Sequence, residues 1–193
     1  MKTKKCNGCG EIDQSKFYDC YRTLCMECKK RKQYAYNDEN PDYLKAKNQR
    51  RAARLKYLPN TLSSKQWTNA QKRFGGKCAI SDSTDTVLEH VIPSAWYMGG
   101  TTVENCIPMD AKLNLSKRDK NIIEWVQQPE IEPLINWKKF YAAMRYLAEL
   151  NGLTLQEYYA FINWCERNKR TEEEAKAATM TSIEEWKAAG GRI

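Results

Sequence analysis

The amino-acid sequence predicts an α+β protein, on three observations. Residues 87–119 read as strand, loop, strand and short helix: a β-branched run stops at Pro93, a Gly99-Gly100-Thr101 loop follows, residues 106–109 form a second apolar run, and Asp110 opens a helical pattern. Residues 6–28 hold two Cys-x-x-Cys pairs, the mark of a small metal-held module. Beyond Asp119 apolar residues recur at helical spacing and Ser/Thr-x-x-Glu cap patterns repeat. The expected order is a cysteine module over 1–36, a basic linker helix over 37–62, a small mixed core over 63–120 and a helical region over 121–193.

Composition bounds the function. The chain carries 32 Lys and Arg against 24 Asp and Glu, a net charge of +8, and its pI near 9.0 suits a polyanionic partner. The charge is uneven: residues 1–76 hold 18 basic and 7 acidic side chains, residues 77–193 hold 14 and 17. The basic half is therefore the half expected to grip nucleic acid. No apolar run approaches the ~20 residues of a membrane span. The opening MKTKKCNGCG has no signal-peptide core, so a soluble protein in the cytoplasm of its host is expected. In that reducing compartment eight cysteines point to metal ligation rather than to disulfides.

In the first module Cys6-x-x-Cys9 and Cys25-x-x-Cys28 are separated by fifteen residues, a spacing that fits a four-cysteine zinc site. Gly8 and Gly10 give the first knuckle its backbone freedom. So short a segment has too small a core to fold alone, and Zn2+ would supply its folding energy. A chance pairing or a redox Cys-x-x-Cys is the bland alternative. Cys20, between the pairs without a partner at the right spacing, is read as packing. The flank Lys29-Lys30-Arg31-Lys32 favours DNA contact, but such modules also brace folds, and both readings stay open.

Asn40-Pro41 signals a helix start, and Pro59 stops the run that follows. Lys47, Arg50, Arg51 and Arg54 lie on it without a broad apolar stripe, so the helix gains little from packing. It orders against phosphate, with these four residues as DNA contacts, or it is a solvated linker. Ser63-x-x-Gln66 is a capping box for a helix running to Phe74, and Trp67 and Phe74 share the face that packs on the core.

The stretch 87–119 carries the chemistry. Phosphodiester hydrolysis needs an activated water and positive charge for the phosphate and the leaving oxygen. His90 is the chain's only histidine, and a neutral imidazole, with an ordinary pKa near ~6.5, can take the water's proton at physiological pH. Glu89 and Asn114 offer two oxygens, enough for a hard cation such as Mg2+ that keeps several waters. Neighbours on an ideal strand face opposite sides, so Glu89 and His90 require the run to bend near His90. Asp110, Asn114 and Lys117 fall at i, i+4 and i+7 on one helical face. A lone histidine is more often an ordinary residue, and isolated asparagines mean nothing; the joint spacing gives them weight.

That joint pattern resembles the HNH endonucleases of the ββα-metal (His-Me finger) superfamily. It comprises Glu89-His90-Val91-Ile92-Pro93, the Gly99-Gly100-Thr101 loop leading to Asn105, and Asn114 with Lys117 three residues and Asp119 five residues later. The resemblance covers roughly residues 66–120. It implies a ββα-metal nuclease core, His90 as general base, Asn114 as ligand of a catalytic Mg2+ or Mn2+, and Asn105 pinning the loop, with Lys117 completing the set. The implied substrate is double-stranded DNA, and the zinc module joined to a basic helix looks like the phage or mobile-element type. Two departures stand out. Glu89 occupies a position where most members have Asp, which bears on its contact with the metal. Cys78-x-x-Ser81 and Met109-x-x-Lys112 stand where many members carry zinc-binding Cys pairs, so no zinc is expected inside the core.

After Asp119, Ile122, Ile123, Trp125 and Val126 make a short apolar segment ended near Pro129 and Pro133. Positions 137, 140, 141, 144, 147 and 148 form a helical stripe closed by Gly152. Thr154-x-x-Glu157 caps the next helix, and Thr171-x-x-Glu174 and Ser182-x-x-Glu185 open two more. These elements carry no identifiable chemistry and are expected to pack, dimerise or shape specificity. The expected function is a metal-dependent DNA endonuclease; the alternative is a non-catalytic zinc-dependent DNA-binding protein with a vestigial core. An RNA-processing factor would need stacking aromatics on an exposed sheet, which the chain does not show. One His–Asn centre cuts one strand, so a double-strand break would need a homodimer or two sequential cuts.

Overall fold

In the computed structural model, residues 5–18 and 23–191 are described, apart from the side chains of Asp42, Lys45 and Ala46. Cys20 lies outside the described residues. The chain divides into two compact units, Met1–Leu44 and Lys45–Ile193.

In the first unit, a turn over residues 7–9 precedes helix α1 (Met26–Glu39). The Cys25 thiol caps this helix by accepting from the Cys28 amide. α1 was not expected from the sequence, because its exposed polar residues make no apolar stripe; its start is set by the cysteine knuckle. A small core of Cys6, Phe17, Cys25 and Cys28 lies beneath it. Asn40 closes α1, with its side-chain amide donating to Tyr36 O, and Pro41 opens α2 (Pro41–Leu55). The basic helix is therefore shorter than the 37–62 segment read from the sequence.

In the second unit, α3 (Ser64–Arg73) begins with the expected capping box of Ser63 and Gln66. Strands β1 (Thr86–His90) and β2 (Cys106–Asp110) pair antiparallel, with Glu89 opposite Ile107 and His90 opposite Cys106. Asp110 then caps α4 (Ala111–Lys117), its carboxylate accepting from the Lys112 and Leu113 amides. The helices α5 (Ile122–Trp125), α6 (Trp137–Leu150), α7 (Leu155–Arg167), α8 (Glu172–Ala177) and α9 (Ser182–Ala188) follow.

The two sheet faces bury different partners. Ile107 and Met109 join the main core with Trp125, Met144, Leu147 and Ile162. Leu88 and Cys106, on the opposite face, pack with Leu62, Trp67 and Ala70. Helices α5, α6, α7 and α9 thus share one core with the sheet. Among the described residues no helix is long and apolar enough to cross a membrane.

Candidate functional site

The thiol sulfurs of Cys6, Cys9, Cys25 and Cys28 all lie within 4.8 Å of one another. Donors reach two of these sulfurs: the Cys25 and Gly8 amides donate to Cys6 Sγ at 3.2 and 3.4 Å, and Arg31 Nη2 donates to Cys28 Sγ at 3.0 Å. The Cys25 amide chiefly brings the Cys6 thiol down to about 6. Gly8 is required by proximity, since a Cβ there would stand 2.9 Å from Cys28 Sγ. Four sulfurs so disposed can hold one structural zinc ion.

A second feature lies at the end of β1. A cleft of about 250 Å³ is lined by Glu89, His90, Pro93, Ser94, Ala95, Arg118 and Asp119. Strand alternation persists there, and the two adjacent side chains go to different partners. The chain bends at Val91 and Ile92, directly after His90, as the sequence reading expects.

Glu89 turns to the main-core face. Its carboxylate is buried beside the ammonium of Lys117, with Nζ 2.6 Å from Oε1 and side-chain exposures of 0% for Lys117 and 7% for Glu89. Lys117 Nζ also donates to His90 O at 3.2 Å. Burial pushes the Glu89 carboxyl above its ordinary value, against the pull of Lys117.

His90 turns the other way, with Nε2 2.9 Å from Thr101 Oγ1. Burial, with the Lys117 and Lys56 charges, pushes the imidazole down to about 4, so it is neutral at physiological pH. Asn105 stitches the loop to the strand end: its Oδ1 accepts from the Ile92 amide at 2.8 Å, and its Nδ2 donates to Ile92 O and Gly100 O, both at 3.0 Å. Gly99 makes room for this, because a Cβ there would sit 2.2 Å from Ile92 O.

Asn114 faces β1 from α4, its Nδ2 donating to Leu88 O at 3.3 Å. A carbonyl only accepts, so the amide nitrogen is fixed inward and the side-chain oxygen is left for another partner. Asn114 is not among the residues lining the cleft. Lys47, Arg50, Arg51 and Arg54 are exposed on α2, and among the described residues no acid pairs with the three arginines.

Three participants were missed by sequence reasoning. Arg118 lines the cleft from the end of α4, at a φ of 51°, and is exposed. Its place between Lys117 and Asp119 was the available signal. Lys56 and Gln49 come near His90 and Thr101 only through the course of α2, which no local pattern announces. Comparisons of the chain with protein-family models, curated proteins and solved structures give no match.

Proposed function

We propose that this chain is a metal-dependent endonuclease of the HNH type, hydrolysing phosphodiester bonds of double-stranded DNA. In this reading β1, β2 and α4 are a ββα-metal core. The observation that carries it is one cleft at a strand end lined by the sole histidine, by Glu89 and by an exposed arginine, Arg118. His90 is neutral there and able to accept a proton from water. Arg118 supplies positive charge for a phosphate entering the same cleft. Glu89 and Asn114 are the residues that would hold a Mg2+ or Mn2+ ion. Their donor chemistry fits, since Glu89 offers a carboxylate and Asn114 is anchored through its nitrogen, which leaves its side-chain oxygen to accept. Bound there, a divalent ion would act as a Lewis acid on the scissile phosphate. The exposed arginines of α2 would take backbone phosphates, and the four-cysteine module would be braced by zinc.

Two observations favour the second reading, a zinc-dependent DNA-binding protein without catalysis. Lys117 already neutralises Glu89, and Asn114 stands outside the cleft lining. Plasmid nicking separates the two. The nuclease reading expects relaxation of supercoiled plasmid only with added Mg2+ or Mn2+, and a loss of roughly 10²–10⁴ in rate for His90→Ala with DNA affinity unchanged. Absence of metal-dependent nicking by the wild-type chain, with DNA binding intact, leaves the second reading standing.

A further inference from the structure

Thr101 is fully buried, and its hydroxyl has two polar neighbours: His90 Nε2 at 2.9 Å and the main-chain carbonyl of Gln49, in α2, at 3.2 Å. A hydroxyl owns one proton, and a carbonyl can only accept one. The Thr101 proton therefore goes to Gln49 O, and the Thr101 oxygen accepts from His90, so Nε2 carries the imidazole hydrogen. In the opposite tautomer the Nε2 lone pair and the Gln49 carbonyl would both face that single proton. One acceptor would then lack a donor in a buried site, which burial penalises.

The threonine is itself held on both sides. Its amide donates to Pro59 O at 2.9 Å, and its carbonyl accepts from the Leu62 amide at 3.0 Å. Both partners lie in the segment that follows α2. Gly100 permits the close passage, because a Cβ there would sit 2.4 Å from Pro59 O.

We infer that Thr101 is a positioning residue that fixes His90 as the Nε2–H imidazole, with the backbone of α2 at Gln49 as its anchor. The nitrogen left to accept a proton is Nδ1. The consequence for rate rests on the nuclease reading; the hydrogen-bond assignment does not. It joins two parts that the sequence keeps apart, since Gln49 directly precedes the exposed Arg50 and Arg51. The helix that presents those arginines also sets the state of the imidazole.

The chain has one histidine, so a long-range 1H–15N correlation spectrum of the full-length, zinc-loaded protein at pH 7 reads the protonated nitrogen without ambiguity. The wild type is expected to show Nε2–H. Thr101→Val, which removes the hydroxyl at nearly constant volume, is expected to give a mixture of tautomers, and Thr101→Ser to restore Nε2–H. In a nicking assay Thr101→Val should lower kcat by up to about 100-fold, with little change in KM, and Thr101→Ser should recover it. An Nδ1–H wild type, or a Thr101→Val protein that keeps Nε2–H in full, overturns the inference. The wild-type spectrum decides even if the valine variant does not fold. The expected tautomers together with no cleavage would uphold the positioning role and sink the nuclease reading.

Discussion

Replacing Lys117 by methionine tests the buried charge pair at the cleft. The methionine nearly matches the lysine stem in length and leaves the Glu89 carboxylate without its cation, beside Ile107 on the main-core face. Both side chains are enclosed, at 0% and 7% exposure, so solvent cannot take over the neutralisation. Removing one partner of such a pair costs about 3–5 kcal/mol. For a unit of this size about 1 kcal/mol corresponds to about 2–4 °C, so a fall in Tm of about 6–20 °C is expected. Lys117→Met/Glu89→Leu removes the orphaned charge and should recover to within about 1 kcal/mol of the wild type or exceed it. Urea unfolding followed by the fluorescence of the buried Trp67, Trp96 and Trp125 measures all three proteins.

The pH dependence follows with a definite sign. Burial holds the Glu89 carboxyl above its ordinary value in the folded chain, and Lys117 opposes this. Without the lysine, the folded state binds a proton that the unfolded state has already released at neutral pH. Stability of Lys117→Met should therefore rise as pH falls from neutral toward the ordinary carboxyl range, more steeply than for the wild type. Added Mg2+ separates the two functional readings: if Glu89 takes the metal, Mg2+ stabilises Lys117→Met more than the wild type. A loss below about 1 kcal/mol in the single variant, with no recovery in the double variant, would refute the claim that the ion pair carries this energy.

Two further outcomes bear on the rest of the molecule. Elemental analysis should find one zinc per chain, bound by Cys6, Cys9, Cys25 and Cys28, and Cys25→Ser should lose it along with the protection of α1 amides from hydrogen exchange; a variant that keeps the metal would remove this site. Replacing Arg50, Arg51 and Arg54 by alanine should weaken DNA binding about equally for all sequences and flatten the slope of log K against log salt by roughly 0.9 for each phosphate no longer neutralised, measured by anisotropy without divalent metal; an unchanged slope would return α2 to the status of a solvated linker.

What the sequence made legible was local. Capping boxes at Ser63, Thr154 and Thr171 start helices where expected, because the cap and its partner lie three residues apart. The last helix shows the limit of that logic. Thr181-x-x-Glu184 and Ser182-x-x-Glu185 both match the pattern, and the sequence reading takes the second. In the structure Thr181 and Glu184 form the box, while the Ser182 hydroxyl donates to Met98 O at 2.7 Å and Glu185 pairs with Arg170. Remote partners chose the register, and no window of a few residues contains them.

The same distinction explains why the cleft was readable in residue types but not in contacts. His90, Asn105 and Lys117 were singled out by the resemblance of the whole stretch, yet the Glu89–Lys117 pair and the Thr101–Gln49 link depend on how α4 and α2 lie against the sheet and its loop. The loop between the strands is also held from behind by the chain's far end: Arg170 N donates to Trp96 O, Trp96 Nε1 donates to Asp119 O, and the Lys169 ammonium lies over the Trp96 ring. These contacts bury Trp96. The segment that carries Thr101 to His90 is thus fixed between residues 49–62 on one side and 169–182 on the other. Helices without chemistry of their own therefore constrain the imidazole, since a loop free to shift by an ångström would break a 2.9 Å hydrogen bond.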